Sequence, residues 1–517
     1  MILFSFTAIQ SCKKDSTGST TPPPPPLPVN YLSEYKYNLN VIYFVASDRQ
    51  PNADYHDRIS KILLNGQEFY RIWMQHWGYG DRTFGLLKDD IKKLIKVTYI
   101  KGALQQSSYP YSGGGQTMMA EINAYFAANP SEKKSDHYLV ISAVNVTDPA
   151  AIQNSGVPFY GLGRWCFALD YPGLNVDNLG AGGTIGSETS KWVGGMLHEL
   201  GHGINLPHAG ERVSERNDPA FGTSLMGGGN TTYGKTPTFV AQSSCAILNN
   251  CQLFTKTDKT FYGTSNTAVT KIYTNYTNGN IIISGKYTSD VPVDDITFYH
   301  RPTNNAGGYT AMTWVSKPLT TDSFYMSMPV SEFFEKGNTE YEFSIVLNLR
   351  NGNINNTFYG YQFQADIPLL DFGLKNEFDK TNWTIASLSS EETASENGKA
   401  INILDGNLNS YWHSKYTSGA ASYPHFITVD MQQNLTTKAF TLAQRGGQRK
   451  VKDIELLISN NNTNWESLGN FVLRNYGGQQ IVSLPANKTF RYFKIIMNTA
   501  YDGLQFAALA EAGILKD

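Results

Sequence analysis

The chain has 517 residues, 41% of them hydrophobic and 17% charged, with a formal net charge of -2. That length suits about three domains, each able to bury a core, and the near-neutral balance removes the electrostatic case for nucleic acid, which needs a basic face. The 31 Tyr and 27 Phe at low charge suit a β-rich extracellular protein, carbohydrate binders among them. Four cysteines, Cys12, Cys166, Cys245 and Cys251, are too few for a disulfide scaffold. Cys245 and Cys251 are near enough in sequence to close a small loop in an oxidising compartment, an alternative to two separate thiols that the sequence leaves open. Cys166 lies in an apolar run and reads as a buried thiol.

Residues 1–12 read MILFSFTAIQSC and are followed by Lys13-Lys14-Asp15. A short apolar stretch, small or polar residues and then Cys12 resemble the end of a bacterial lipoprotein signal peptide, although the usual basic start is missing. The resemblance implies lipidation of Cys12 and a chain anchored to a bacterial outer membrane, at the cell surface or in the periplasm, or else secreted. Membrane contact is then expected only through that anchor, because no later run is long and apolar enough to cross a bilayer. Residues 13–35 form a linker whose run STGSTTPPPPPLP is an extended polyproline tether.

Residues 36–264 alternate strand and helix patterns, which predicts an α/β (α+β) domain with a mixed sheet. Residues 39–46, 96–100, 138–144 and 164–171 read as strands, and residues 55–77 and 117–128 as helices. The longer helix places Ile59, Ile62, Leu63, Phe69, Ile72 and Trp73 on one side. A third helix is expected over residues 187–204, opened by Ser187 and Glu188. In residues 265–368 helices disappear and short alternating strands recur, such as 281–287, 296–300 and 341–347, the pattern of an Ig-like β-sandwich serving as spacer or scaffold. Residues 369–517 carry a third, β-rich domain.

The chemistry concentrates in HELGHGINLPH, residues 198–208. His198 and His202 are four apart on a helix and project from one face, so both can reach one zinc ion. Glu199 is rotated away from that pair and can act on water rather than on the metal. Gly203 breaks the helix, Asn205 can take the left-handed conformation that a reversal needs, and Pro207 stiffens the approach of His208, the third ligand. Three neutral imidazoles plus water make a catalytic zinc site with an open position. Zinc polarises a carbonyl and lowers the pKa of its water to about 7; Glu199 is the general base. His56, His76, His137 and His300 are read as surface or packing residues.

This stretch resembles the metzincin signature of zinc metallopeptidases, with Asn205 where that family normally has Gly. The resemblance implies a methionine-containing turn beneath the metal, which Ser224-Leu225-Met226-Gly227 fits, with Met226 as a packing floor. Some metzincins carry a Tyr two residues after that Met. Here the position is Gly228, leaving Tyr233 as the substitute candidate for transition-state or substrate contact. The family's sheet has an edge strand that pairs with extended substrate, a role assigned to residues 164–171. Residues 223–239 and 246–254 resemble the segments after the Met-turn in bacterial peptidases that cut mucin-type O-glycoproteins beside a glycosylated Ser or Thr. The implied function is zinc-dependent endopeptidase cleavage of extracellular glycoproteins by a monomer. The alternative is a glycan-binding surface lipoprotein, an adhesin with a vestigial zinc site.

In the last domain, residues 403–414 and 423–431, Gln444-Arg445, residues 451–459, Trp465, residues 491–496 and residues 510–514 follow in order. Together they resemble the discoidin-like, or coagulation-factor type C, domain, which implies a β jelly roll whose loops bind glycans. Asp405, Ser410 and Glu511 fall where that family often places calcium ligands, so the resemblance implies Ca2+ there. Trp412 is expected in the core, and Tyr416, Arg445 and Tyr476 are the loop candidates for glycan contact.

Overall fold

The computed structural model describes residues 29–516, apart from residues 147, 149, 150, 153–155, 373, 374 and 418. The signal-like segment, Cys12 and the proline run lie outside the described residues. The first sheet is built from β1 (Asn40–Val45), β2 (Thr98–Lys101), β3 (Tyr138–Ala143), β4 (Tyr160–Leu162) and β5 (Trp165–Asp170), in the order β2-β1-β3-β5-β4. The first four in that order run parallel, and β4 pairs antiparallel with β5 at the edge.

Every residue of β1, β3 and β5 is buried, because helices cover both faces of the sheet and leave no solvated side to alternate with. Val41, Tyr43, Leu139, Ile141 and Ala168 pack with helices α1 (Tyr55–His76) and α3 (Gly183–Gly203). The intervening Ile42, Phe44, Val140 and Phe167 face Met118, Ile122 and Phe126 of α2 (Gly114–Ala128).

Three expectations are corrected here. Residues 164–171 do not form the edge strand; β5 is interior, and the three-residue β4 covers it. Ile72 is 47% exposed, and Tyr70 and Met74 take the buried side of α1 instead. Helix α3 begins at Gly183, not at Ser187, and Glu188 accepts the Trp192 Nε1–H at 2.9 Å rather than capping the helix.

Cys166, Cys245 and Cys251 are buried free thiols. The small-loop disulfide does not form. Cys245 is committed to the helix Gln242–Leu248 inside the core, whereas Cys251 lies beside His137 and Tyr262, 3.8 Å and 3.9 Å from their polar atoms.

A β-sandwich follows, as expected. Thr267–Thr277, Asn280–Ser289 and Ser323–Pro329 form one sheet; Met312–Ser316, Val293–Pro302, Glu340–Leu349, Ile354–Gln364 and Ile367–Leu369 form the other. Ile281, Ile283, Phe298, Phe343 and Ile345 fill the space between them. The sandwich is more than a spacer, however. Its Tyr299, Ala311 and Val346 belong to the same buried cluster as α1 and α3, and its Thr313 hydroxyl meets that of Ser243 at 2.9 Å.

The C-terminal domain is a seven-stranded jelly-roll sheet around a fully buried Trp412, whose indole donates to the Ser390 carbonyl at 2.8 Å. It docks on the sandwich through Lys450 and Glu342, 2.8 Å apart and both buried.

One charge pair ties α1 to the sheet. Arg58 on α1 is bidentate to Asp170 at the end of β5, and the same carboxylate accepts from Tyr43 at 2.8 Å and Asn52 at 3.1 Å. Removing Asp170 leaves a guanidinium only 7% exposed without its counter-charge. Asp170→Ala is therefore expected to lose about 3–5 kcal/mol, read from the denaturant midpoint of the transition that exposes α1. A loss under about 1 kcal/mol, the usual worth of a surface pair, would show that packing alone holds the helix.

Candidate metal centre

Helix α3 sets the first two histidines and Glu199 within one turn of each other. The helix then closes on itself: the Asn205 N–H bonds to His202 O and the Leu206 N–H to Gly201 O, both at 2.9 Å. Asn205 has φ of 74°, a left-handed conformation that Asn tolerates better than most side chains. The reversal carries His208 back over the helix face. The His208 Nε2 lies 3.3 Å from that of His198 and 3.0 Å from that of His202.

The second nitrogen of each ring is accounted for. His198 Nδ1 meets the Leu225 carbonyl at 2.7 Å, His202 Nδ1 the Leu206 carbonyl at 2.8 Å, and His208 Nδ1 the carbonyl of Gly307. A carbonyl only accepts, so each Nδ1 carries the proton and each Nε2 presents a lone pair. Three lone pairs then face one point with no donor between them, an arrangement that a cation resolves. Burial pushes the His198 and His208 imidazoles down to about 3 and about 4, with help from the neighbouring His202, so the rings are neutral, as metal ligation requires. Among the described residues this is the one group of three side chains gathered closely enough to hold a metal.

Glu199 lies beside the triad and lines the same cleft. Burial pushes its carboxyl up to about 7, and the Gly161 backbone N–H pulls against that shift. The cleft encloses about 650 Å³. One wall is β4 with Phe159, Tyr160 and Gly161; another is Arg164 and Tyr262, the guanidinium lying 4.2 Å over the Tyr262 ring. Strand β4 sits tight on α3: a Cβ on Gly161 would fall 2.2 Å from the His202 Cβ.

Met226 is fully buried under the triad, its sulfur against Gly201 of α3, and its carbonyl accepts from the Ala209 N–H at 3.1 Å. Tyr233 is not brought to the triad. It is 5% exposed, packs edge-on against Phe69 and donates to Asn65 Oδ1 at 2.6 Å. The tyrosine at the triad is Tyr309, from the sandwich loop between Val293–Pro302 and Met312–Ser316. It stacks on His208 with ring centroids 3.8 Å apart. No local pattern marks it; the only sequence signal is the glycine pair Gly307-Gly308 preceding an aromatic in a loop.

Far from this site, the C-terminal candidates separate. Tyr416 is 36% exposed and meets His413 edge-on, and Arg445 lies 4.2 Å over Tyr411. Together they give the loops an aromatic and cationic surface. Tyr476 does not join them: it is 8% exposed and buried against Gly360 of the sandwich. Asp405 and Ser410 do meet, at 2.6 Å, and Asp405 approaches Glu511. But the cation among these carboxylates is Lys380, which pairs with Glu511 and lies 3.5 Å from Glu377. A side-chain ammonium therefore lies beside Glu511, one of the residues expected to hold calcium.

The F5/8 type C domain family matches residues 385–512. A sialidase of Micromonospora viridifaciens is 33% identical over 139 residues, 26% of this chain, and the chain spans only 21% of that relative's length. Among solved structures, wild type OgpA from Akkermansia muciniphila is 35% identical with a TM-score of 0.61, over 65% of this chain and 96% of its own. Catalytically inactive OgpA, determined in complex with an O-glycopeptide (glycodrosocin) substrate, matches equally well. With that identity over nearly the whole of OgpA, this chain belongs to the same family as OgpA, and it adds an F5/8 type C domain at its C-terminus.

Proposed function

We propose that this chain is a zinc-dependent endopeptidase that cuts extracellular O-glycoproteins of the mucin type next to a glycosylated Ser or Thr. The observation that carries the reading is the set of three Nε2 lone pairs converging beside a partly buried glutamate in an open cleft. The donor set fits zinc: three neutral imidazoles, each oriented by a carbonyl on its far nitrogen, and, among the described residues, no fourth protein ligand to close the site. Zinc supplies Lewis acidity there, polarising a carbonyl and activating water.

The chain's own residues supply the rest. Glu199 accepts the proton of the attacking water and returns it to the leaving amine, and its partial burial favours a carboxyl able to hold that proton between the two transfers. Strand β4 offers its free edge to an extended peptide, which holds the backbone whatever its side chains are. Relatedness to OgpA, seen with an O-glycopeptide, supports the substrate class. The surface formed by Tyr411, Tyr416 and Arg445 supports a glycan-binding role for the C-terminal domain. The same reading places the chain outside the cell, tethered through a lipid on Cys12.

The test is cleavage of an O-glycosylated mucin-type protein, its deglycosylated form and an unglycosylated control. Wild type is expected to cut only the first. Glu199→Gln is expected to lower kcat by about 10²–10⁴-fold while binding one zinc per chain. Cleavage by the variant at the wild-type rate would remove Glu199 from the mechanism, equal cleavage of all three proteins would remove the glycan requirement, and glycan binding without any cleavage would favour the adhesin reading. Gly161→Ala tests the seating of the edge strand, with zinc affinity measured alongside to exclude a displaced His202. The new methyl must push β4 off α3, and a shift of about 1 Å is expected to cost about 10²-fold in kcat/KM with the fold retained by circular dichroism. Unchanged kinetics would mean that β4 does not set the register of the substrate.

A further inference from the structure

The hydroxyl of Tyr309 is a feature of the cleft that the peptidase reading leaves without a task. Tyr309 is 44% exposed and lines the cleft with Glu199, His202 and His208. Its ring is stacked on His208 at 3.8 Å and lies 6.0 Å from that of His198. Among the described residues its hydroxyl has no hydrogen-bond partner, while its position is closely held. The Tyr309 carbonyl is packed against Gly210 and Gly227, where an added Cβ would approach within 2.8 Å and 3.0 Å. The Gly210 N–H donates to Ala311 O at 2.8 Å, and the preceding Gly307 carbonyl receives His208 Nδ1. A loop of the sandwich is thus fastened at three points around one exposed phenol.

We propose that Tyr309 is a catalytic residue of the peptidase, donating its hydroxyl hydrogen bond to the scissile carbonyl oxygen as negative charge builds on it. This rests on the peptidase reading above. A phenol is protonated at neutral pH and can donate without giving up its proton. A donor held in advance stabilises the developing oxyanion more than it stabilises the planar carbonyl, and that difference is what accelerates a reaction. The position after Met226 that could have carried such a tyrosine is Gly228, and Tyr233 is turned into the core. The sandwich therefore completes the active site, and the α/β domain alone lacks this donor.

The variant that isolates the hydroxyl is Tyr309→Phe, which keeps the ring on His208. Wild type and variant, both zinc-loaded, are compared for kcat and KM on the O-glycoprotein. They are also compared for zinc affinity by chelator competition and for calorimetric affinity toward a tetrahedral phosphinic isostere of the cleaved bond. The expected result is a fall in kcat of about 10²-fold with KM within about threefold, zinc affinity unchanged, and isostere affinity reduced by the same factor as kcat/KM. Three results would overturn the inference: an unchanged kcat; a reduced kcat with isostere affinity intact; or a loss of zinc affinity that accounts for the loss of rate, which would make Tyr309 a support for His208. If wild type itself cleaves no glycoprotein, the peptidase reading fails first, and this inference with it.

Discussion

Each imidazole of the triad is locked by a backbone carbonyl on its Nδ1, and the three carbonyls come from three separate parts of the chain. The Leu206 carbonyl belongs to the reversal that ends α3. The Leu225 carbonyl belongs to the turn that holds Met226. The Gly307 carbonyl belongs to the sandwich. Because each bond fixes both the tautomer and the ring plane, the lone pairs converge only when all three segments are in place. A neutral imidazole without that bond is free to protonate the other nitrogen or to flip, and the acceptor set is then lost.

That dependence explains why the boundary between the α/β body and the sandwich is so closely packed. Tyr299, Ala311 and Val346 are buried in the α/β core, and Gly210 and Gly227 admit the Tyr309 carbonyl at a distance no side chain would allow. A hinge at this boundary would move the Gly307 carbonyl and Tyr309 relative to α3, changing the His208 ring and the cleft wall together. Closed packing there serves the site as much as stability. Clefts between domains collect functional groups that no one domain can place alone.

The local part of the site was legible in sequence, because it depends on spacing along one helix and its cap. The four-residue repeat put His198 and His202 on one face, and Asn205 takes the left-handed conformation its side chain permits. What was illegible depends on contacts between distant segments. Residues 164–171 read as an edge strand because a buried parallel strand and an edge strand can both be short apolar runs; only the pairing of Gly161 with Cys166 reveals that another strand lies outside. Tyr233 was the nearest tyrosine in sequence, but hydroxyls follow their packing, and Asn65 claims this one. Tyr309 lies 101 residues beyond His208 (309 less 208) in a domain whose strands read as scaffold. Ser187 and Glu188 resemble a helix start, but α3 already begins at Gly183, inside a glycine-rich run.

The two ends of the molecule meet the same electrostatic problem in opposite ways. At the triad, three neutral acceptors, one of them buried and two half-buried, face one another, and the cation must come from outside the chain. In the C-terminal domain, Glu511 is 4% exposed with its carboxyl pushed by burial up to about 8, and Asp405 and Glu377 stand nearby. There the chain supplies its own cation, the ammonium of Lys380, itself largely buried. An ammonium brings one positive charge and three donors, where calcium would bring two charges and require six or more oxygens. The jelly-roll carboxylates thus have a cation of the chain itself among them, whereas the triad gathers acceptors alone.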